Sequence, residues 1–341
     1  MKSFKLKILQ NYKRCVYCNS KKLQREKNSK IILNFYTKAI KLDLNLSESF
    51  LQNIKQYKCL NCKIIQNSPW FTKNISKKIY SNIYGQHNRN WKNLFNFINY
   101  GILPDHGALF ELIRKKVSIK KYGEFNAPFM GLMLNLFKNE TKNNKSFYKN
   151  YSKNIFKYLI SRQVFQKSKK TQLDSIERGT IYLNKFKSLL KKNQIKKKQV
   201  KKIIFKDDNT LSWGVNDNYN SVNSLSFATE FFNSNYHQIE EIKNFKKFDL
   251  IGIFHSLDHT FNPRKILNLA LKHSKYVLVY AHINKNITKQ HLFSLTENFL
   301  DYLKNNNIYC LNLNNQINKK FKSPEIYFIC SLNKHLINKF N

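Results

Sequence analysis

The chain predicts an α/β fold, a mainly parallel sheet covered by helices and preceded by a small cysteine-rich module. Three observations carry that reading. Residues Lys247 to His291 read as strand, polar loop, helix, strand and polar loop; two more strand-like runs follow them; and two Cys-x-x-Cys pairs stand near the amino end.

Within the central unit, Phe248 to Phe254 and Tyr276 to Tyr280 are nearly continuous apolar runs rich in β-branched and aromatic residues. Such runs suit strands covered on both faces. Between them Asn262 stands where a helix cap belongs and Pro263 fits the first turn, while Ile266, Leu267, Ala270 and Leu271 recur at helical spacing. Both strands end in polar loops, His255 to His259 and His282 to His291. In open α/β sheets, ligands bind in the crevice outside the carboxyl ends of the strands. His255, His259, His282 and His291 therefore fall where chemistry is expected.

The 341 residues are enough for one large and one small domain. The formal charge of +41, from 61 Lys and Arg against 20 Asp and Glu, raises the question of nucleic acid. The excess is mostly lysine spread from end to end, whereas a nucleic-acid footprint is a clustered stripe, so nucleic acid is not the expected partner. Only Lys187 to Lys202 is a concentrated basic run, and it reads as a solvated helix face or linker. Met1 to Gln10 lacks the apolar core of a signal peptide, and no apolar stretch approaches the roughly 18 residues of a membrane span. The expectation is a cytoplasmic protein.

Taken in order, residues 1–72 form the cysteine module. Cys15-Val16-Tyr17-Cys18 and Cys59-Leu60-Asn61-Cys62 each offer two thiolates from one tight turn, and together they make the four-sulfur set of structural zinc. The interval between the pairs exceeds the usual spacing of about 15–20 residues, so an inserted hairpin is expected there, with Ile31 to Tyr36 strand-like. A redox pair or buried free thiols are the other readings. Four protein ligands leave no position for substrate, so the zinc is structural.

Residues 73–198 read as a mostly helical connecting or substrate region. Tyr84 to Trp91 and Tyr122 to Phe129 mix polar side chains with aromatics, which suits carbohydrate or nucleotide contacts and equally suits packed loops. Gly131 to Phe137 and residues 171–200 read as helical. Residues 199–341 form the α/β domain: Val200 to Phe205 is a strand, and Leu211 to Asn218 a run whose Gly214 lets the backbone approach a ligand. Leu292 to Leu303 reads as an amphipathic helix, and Ile308 to Leu313 with Glu325 to Ser331 as a closing antiparallel pair. Cys310 and Cys330, lying in that pair, read as small buried hydrophobes.

Several of these stretches resemble one family. Cys59-Leu60-Asn61-Cys62 runs on into Lys63-Ile64-Ile65-Gln66; Trp213-Gly214-Val215-Asn216-Asp217-Asn218 resembles a strand end of the type IGSNDG; Phe248-Asp249-Leu250-Ile251 resembles FDLI; Ser256-Leu257-Asp258-His259-Thr260-Phe261-Asn262-Pro263 resembles a loop of the type nVLEHi.dP; and Gln290-His291-Leu292-Phe293-Ser294 resembles EHlsyfS. In that order these motifs resemble the S-adenosylmethionine-dependent sugar C-methyltransferases with an N-terminal zinc-binding domain, enzymes of nucleotide-linked deoxysugars. The resemblance implies a Rossmann-like methyltransferase sheet and S-adenosylmethionine as cofactor. It implies cofactor contacts from Gly214, Asn216, Asp217, Asp249 and His255, and a nucleotide sugar or glycan precursor as partner.

The chain also departs from the family. Asn218 replaces the last glycine of the first cofactor motif. Too few residues separate Asp217 from Phe248 for the further helix and the acid-ended strand that family members place there. Either the sheet is truncated, or Leu211 to Asp217 is the second strand with Asp217 as the acid holding the cofactor ribose. Gln290 stands in place of the family's glutamate.

C-methylation next to a carbonyl requires removal of a proton and stabilisation of an enolate, and histidine suits both tasks. By resemblance His291 is the base or enolate partner, His259 a second polar group, and Gln290 a hydrogen-bonding neighbour, with Tyr84 or Glu124 as further contributors. A non-catalytic chain of the same fold that binds a sugar nucleotide or a protein partner is the second reading. An RNA-binding protein or RNA methyltransferase is the third.

Overall fold

The computed structural model of the chain describes residues 9–26, 54–73, 75, 109, 112–125, 201–206, 235–254, 256–283, 291–317 and 325–341. The amino-terminal module contains β1 (Leu9–Gln10), β2 (Leu23–Arg25), β3 (Lys55–Cys59), β4 (Ile65–Ser68) and β5 (Trp70–Phe71). β1 pairs with β5, and β2, β3 and β4 form an antiparallel ladder. The two cysteine turns repeat one backbone design. Cys15 N–H donates to the Ser20 carbonyl (2.8 Å) and Asn19 N–H to the Cys15 carbonyl (2.9 Å); Cys59 N–H donates to Ile64 (2.9 Å) and Lys63 N–H to Cys59 (2.9 Å). The residue after each second cysteine is left-handed, Asn19 at φ 60° and Lys63 at φ 65°. Asparagine tolerates that region; lysine does so only because the turn and its surroundings fix it.

The large sheet uses β6 (Lys121–Phe125), β7 (Lys201–Lys206), β8 (Asn235–Gln238), β9 (Phe248–Phe254), β10 (Ser274–His282), β12 (Tyr309–Asn312) and β13 (Glu325–Ser331), while β11 (Phe293–Ser294) belongs to the module's ladder. α1 (Pro263–His273) links β9 to β10, α2 (Asn298–Lys304) precedes β12, α3 (Asn314–Ile317) follows it, and α4 (Lys334–Asn338) follows β13. Across the sheet the order is β12-β13-β10-β9-β6-β7-β8. Counted by appearance in the chain, this reads 6-7-5-4-1-2-3. β6 to β10 are parallel to one another, and β13 is antiparallel to both β10 and β12. The chain starts in the middle at β6, winds outward through β7 and β8, then returns to lay β9 on β6's other side. Their boundary is a topological switch point. This is the Rossmann-like sheet of the methyltransferase type, with seven strands and hence no truncation.

Three expectations need correction. The first strand is β6, inside the region read as connecting, and Tyr122 to Phe125 is a central strand rather than part of a ligand loop. Its glycine and buried glutamate lower its strand propensity, and only neighbours β7 and β9 make it a strand. β8, Asn-Tyr-His-Gln, carries no apolar signal and was not foreseen. Leu292 to Leu303 is not one helix: Phe293 and Ser294 pair with Gln66 and Ile65 of β4, and the helix begins at Asn298. Leu292, Phe293 and Leu295 are all fully buried, and a helix facing one core would bury only one side of that run. Ile31 to Tyr36, Tyr84 to Trp91, Gly131 to Phe137, residues 171–200 and Leu211 to Asn218 lie outside the described residues.

Paired residues share a face of the sheet. On one face Ile251, Ile253, Val277 and Val279 meet Ile266, Leu267, Ala270 and Leu271 of α1, and the same apolar cluster takes in Cys15, Tyr17, Trp70 and Phe71 of the module. On the other face β6 presents Tyr122 and Glu124, β9 Leu250, Gly252 and Phe254, and β10 Tyr276, Leu278 and Tyr280. A Cβ on Gly252 would lie 2.4 Å from the Tyr122 hydroxyl and 2.3 Å from Cε2 of Phe254. Glycine here makes room for the buried tyrosine, whose hydroxyl donates to Glu124 Oε2 at 2.9 Å. Gly252→Ala is expected to cost about 1–3 kcal/mol through overpacking, read as a lower midpoint in urea unfolding with little change in slope.

Candidate functional site

Among the described residues, two constellations concentrate chemistry. In the first, the two matching turns bring the sulfurs of Cys15, Cys18, Cys59 and Cys62 within 4.8 Å of one another. Cys15 Sγ lies 3.4 Å from Cys62 Sγ and Cys18 Sγ 3.5 Å from Cys59 Sγ. A tetrahedral ion with metal–sulfur bonds near 2.3 Å sets its sulfurs about 3.8 Å apart, within the range these distances span. The thiols do not titrate alike. Hydrogen bonds from Cys15 and Cys62 draw Cys18 far below the ordinary thiol range; the bond to Cys18 pushes Cys15 up to about 12, and bonds with Cys15 and Cys18 push Cys62 higher still. Thiolates this close repel one another, and a cation among them offsets that repulsion.

The second constellation stands at the carboxyl ends of β9 and β10. β9 ends at Phe254, and the chain turns through Ser256, whose hydroxyl donates back to the Phe254 carbonyl at 2.7 Å, into a short 3-10 turn, Leu257–His259. That turn buries Asp258 completely. Asp258 Oδ2 accepts from the backbone N–H of His282 (3.1 Å) and lies 2.7 Å from its Nδ1. Nε2 of His291 is 3.8 Å from the same oxygen, and the two imidazoles are close but tilted, centroids 4.4 Å apart and planes 37° apart.

Behind His282 stands a second carboxylate. Glu325, the first residue of β13, is paired in register with His282, and its Oε1 is 3.8 Å from His282 Nε2. Its other oxygen accepts from the hydroxyls of Tyr280 and Tyr327, the latter at 3.1 Å. Burial works against charge on His282; the charge and hydrogen bond of Asp258, with Glu325 adding to them, outweigh it and raise the pKa above 6.5.

The module holds this site in position. Asn67 of β4 donates its amide N–H₂ to the His291 carbonyl (2.9 Å), and its backbone N–H donates to Leu292 (2.9 Å). Thr296 Oγ1 donates to the carbonyl of Lys63, the residue after Cys62 (2.9 Å), and Ser294 Oγ to the His282 carbonyl (3.1 Å).

Of the residues read from sequence, the four cysteines meet, and His291 joins the carboxyl-end cluster. His259 lies in the turn beside Asp258. Gln290, His255, Gly214, Asn216, Asp217 and Tyr84 lie outside the described residues. Asp249 is at the opposite, amino end of the strands and is corrected to a structural role: Oδ2 accepts from the N–H groups of Lys120 and Lys121 (2.9 Å each), and Oδ1 pairs with Lys275 (2.8 Å). Burial disfavours its charge, but Lys275 and the two amides prevail and hold its pKa below the ordinary carboxylate range.

Glu325, Tyr280, Tyr327 and Asn67 were not foreseen. The alternation that puts Tyr280 and His282 on one face of β10 and Glu325 and Tyr327 on the matching face of β13 was legible; their register was not.

No protein-family model and no curated protein matches the chain. Among solved structures it is similar to the N-terminal domain of EvdMO1, crystallised in the presence of SAH and D-fucose, at 10% identity over 67% of this chain and 80% of that one, with a TM-score of 0.32. It is also similar to the plantazolicin methyltransferase BpumL in complex with a monoazolic desmethylPZN analog and SAH, at 12% identity over 76% of this chain and 95% of that one, TM-score 0.35. At these TM-scores the fold rests on strand order and not on superposition.

A pH dependence follows from His282. A histidine whose folded-state pKa is raised contributes stability that is complete below its unfolded value near 6.5 and is lost as pH rises through the folded value. In buffer without added divalent ion, the melting temperature should fall across that window. Asp258→Asn should flatten the dependence and cost about 1–3 kcal/mol at the acid end, checked by thermal melts from about pH 5 to about pH 9.

Proposed function

We propose that the chain is an S-adenosylmethionine-dependent methyltransferase acting on a nucleotide-linked sugar or related glycan precursor, with a structural zinc ion in its cysteine module. The observation that carries the reading is the arrangement at the carboxyl edge of the sheet: a switch point between β6 and β9, with the cluster of Asp258, His282 and His291 beside it at the ends of β9 and β10. In doubly wound sheets that crevice is where a nucleotide-like ligand and its reaction partner meet.

Bound there, the cofactor would supply an electrophilic methyl group. A site for its ribose is expected where the second strand of such a sheet ends. β7 is the second strand of the sheet, and Asp207 and Asp208 directly follow its last residue, Lys206. We assign to them the ribose-holding role that the sequence offered to Asp217. Gly131, the first glycine after β6, is the residue in sequence that would let the backbone approach the methionine end.

His291 is the residue at the reacting centre. Its ring is buried against Asp258 and His282, so a proton accepted there, or the positive half of an interaction with an enolate oxygen, would be balanced by the Asp258 carboxylate. Asp258 positions; it does not touch the acceptor. Cys15, Cys18, Cys59 and Cys62 would hold the zinc, a donor set that suits it, and their turn carries Lys63, whose carbonyl anchors Thr296 beyond the His291 segment.

Calorimetric titration tests the reading. The purified, zinc-replete chain should bind S-adenosylmethionine and S-adenosylhomocysteine with micromolar Kd, and the double variant Asp207→Ala, Asp208→Ala should weaken binding about tenfold or more. His291→Ala should keep that affinity and lose methyl transfer by about 100-fold or more. A folded chain that binds neither compound would refute the methyltransferase reading in favour of a non-catalytic member of the fold. For the module, zinc analysis should find an ion that Cys59→Ser releases, with loss of the β3–β4 ladder's protection from hydrogen exchange.

A further inference from the structure

The geometry points to a second metal site, in which Asp258, His282 and His291 bind a divalent first-row transition ion of the zinc, cobalt(II) or iron(II) kind. Asp258, His282 and His291 each offer one ligand atom, all within 4.8 Å of one another, and Oδ2 of Asp258 lies 2.7 Å from Nδ1 of His282 and 3.8 Å from Nε2 of His291. Two imidazoles and one carboxylate converging from separate segments form a donor set that such ions favour and that leaves coordination positions open.

Three further features separate this cluster from an ordinary buried histidine pair. The first is electrostatic. Two imidazoles with centroids 4.4 Å apart share one buried carboxylate, and protonating both would put two positive charges at about that separation. One divalent ion replaces those competing charges with a single centre that all three lone pairs can face.

The second feature is the outer support. A histidine that ligates through one nitrogen commonly donates its other N–H to a carboxylate. Here Glu325 Oε1 is 3.8 Å from His282 Nε2, and Glu325 is itself fixed by the two tyrosine hydroxyls. On binding, His282 gives up its Nδ1 proton and keeps, or takes up, the Nε2 proton facing Glu325, so the neutral ring stays oriented.

The third is rigidity with access. Asp258 is 0% exposed and the His291 side chain 4%, while the His282 side chain is 25% exposed, which gives an entry path. The backbone on either side is pinned through Ser294 to the His282 carbonyl and through Asn67 to the His291 carbonyl.

The inference deepens the reading above and rests on it for its role: the ion would take over stabilisation of the enolate oxygen by offering it an open coordination position, with His291 then a ligand of the ion and not the base. The binding itself does not depend on that role.

The test is a metal count without any methyl donor. Full-length chain saturated with cobalt(II) and then desalted is expected to carry two ions: one gives the intense charge-transfer absorption of thiolate ligation, and the other adds weaker ligand-field bands of a nitrogen and oxygen site. Asp258→Asn and, separately, His282→Gln should each lose one ion and the weaker bands, their affinity for it falling at least about tenfold. Cys59→Ser should instead lose the charge-transfer bands. A wild-type chain that carries only the thiolate-bound ion overturns the proposal, whether or not the variants fold. So does an unchanged count and spectrum in both folded variants. Because no donor compound is present, either result leaves the methyltransferase reading to its own titration.

Discussion

The strand pairing of β4 with β11 is the constraint on which the rest depends. It joins a small module to the carboxyl edge of a large sheet. The joint is dry: Leu292, Phe293, Leu295 and Trp70 are at most 2% exposed, and module and sheet share one apolar cluster. Burying peptide groups there is costly unless each finds a partner, and the ladder together with Asn67 supplies partners. Position at the site follows from that satisfaction. The segment that carries His291 cannot shift without breaking bonds that have no water to replace them.

Much of the fold was legible in the sequence because its signals are local. The runs of β9 and β10 and the spacing of α1 announced a βαβ unit, and the cysteine spacing announced the four-sulfur cluster. What escaped was whatever depends on partners distant in the chain. β6 is a strand because β7 and β9 flank it, and nothing in Lys-Tyr-Gly-Glu-Phe says so. Displacing the first strand to residues 211–217 then produced an apparent truncation. Leu292 to Leu295 has helical periodicity only if one side of it faces water, and no side does.

The candidate site was half legible for the same reason. His291 came from a resemblance between motifs, and Asp249 was misassigned with it, because a motif records which residues recur and not the end of the strand each one occupies. The Asp258 to His282 contact joins the ends of two neighbouring parallel strands, so it becomes visible once β9 and β10 are known to be adjacent. The support from Glu325 requires in addition the antiparallel register of β13.

The joint also has a history during synthesis. Asn67 and His291 are 224 positions apart, so the module emerges from the ribosome long before its outermost strand exists. Until Phe293 and Ser294 arrive, the edge of β4 is an open row of peptide groups flanked by buried-type residues such as Ile65 and Trp70. Unpaired edges of that kind recruit whatever strand is nearest, including one from another nascent copy. The long wait between the two halves of one ladder leaves that edge uncovered for most of the chain's synthesis.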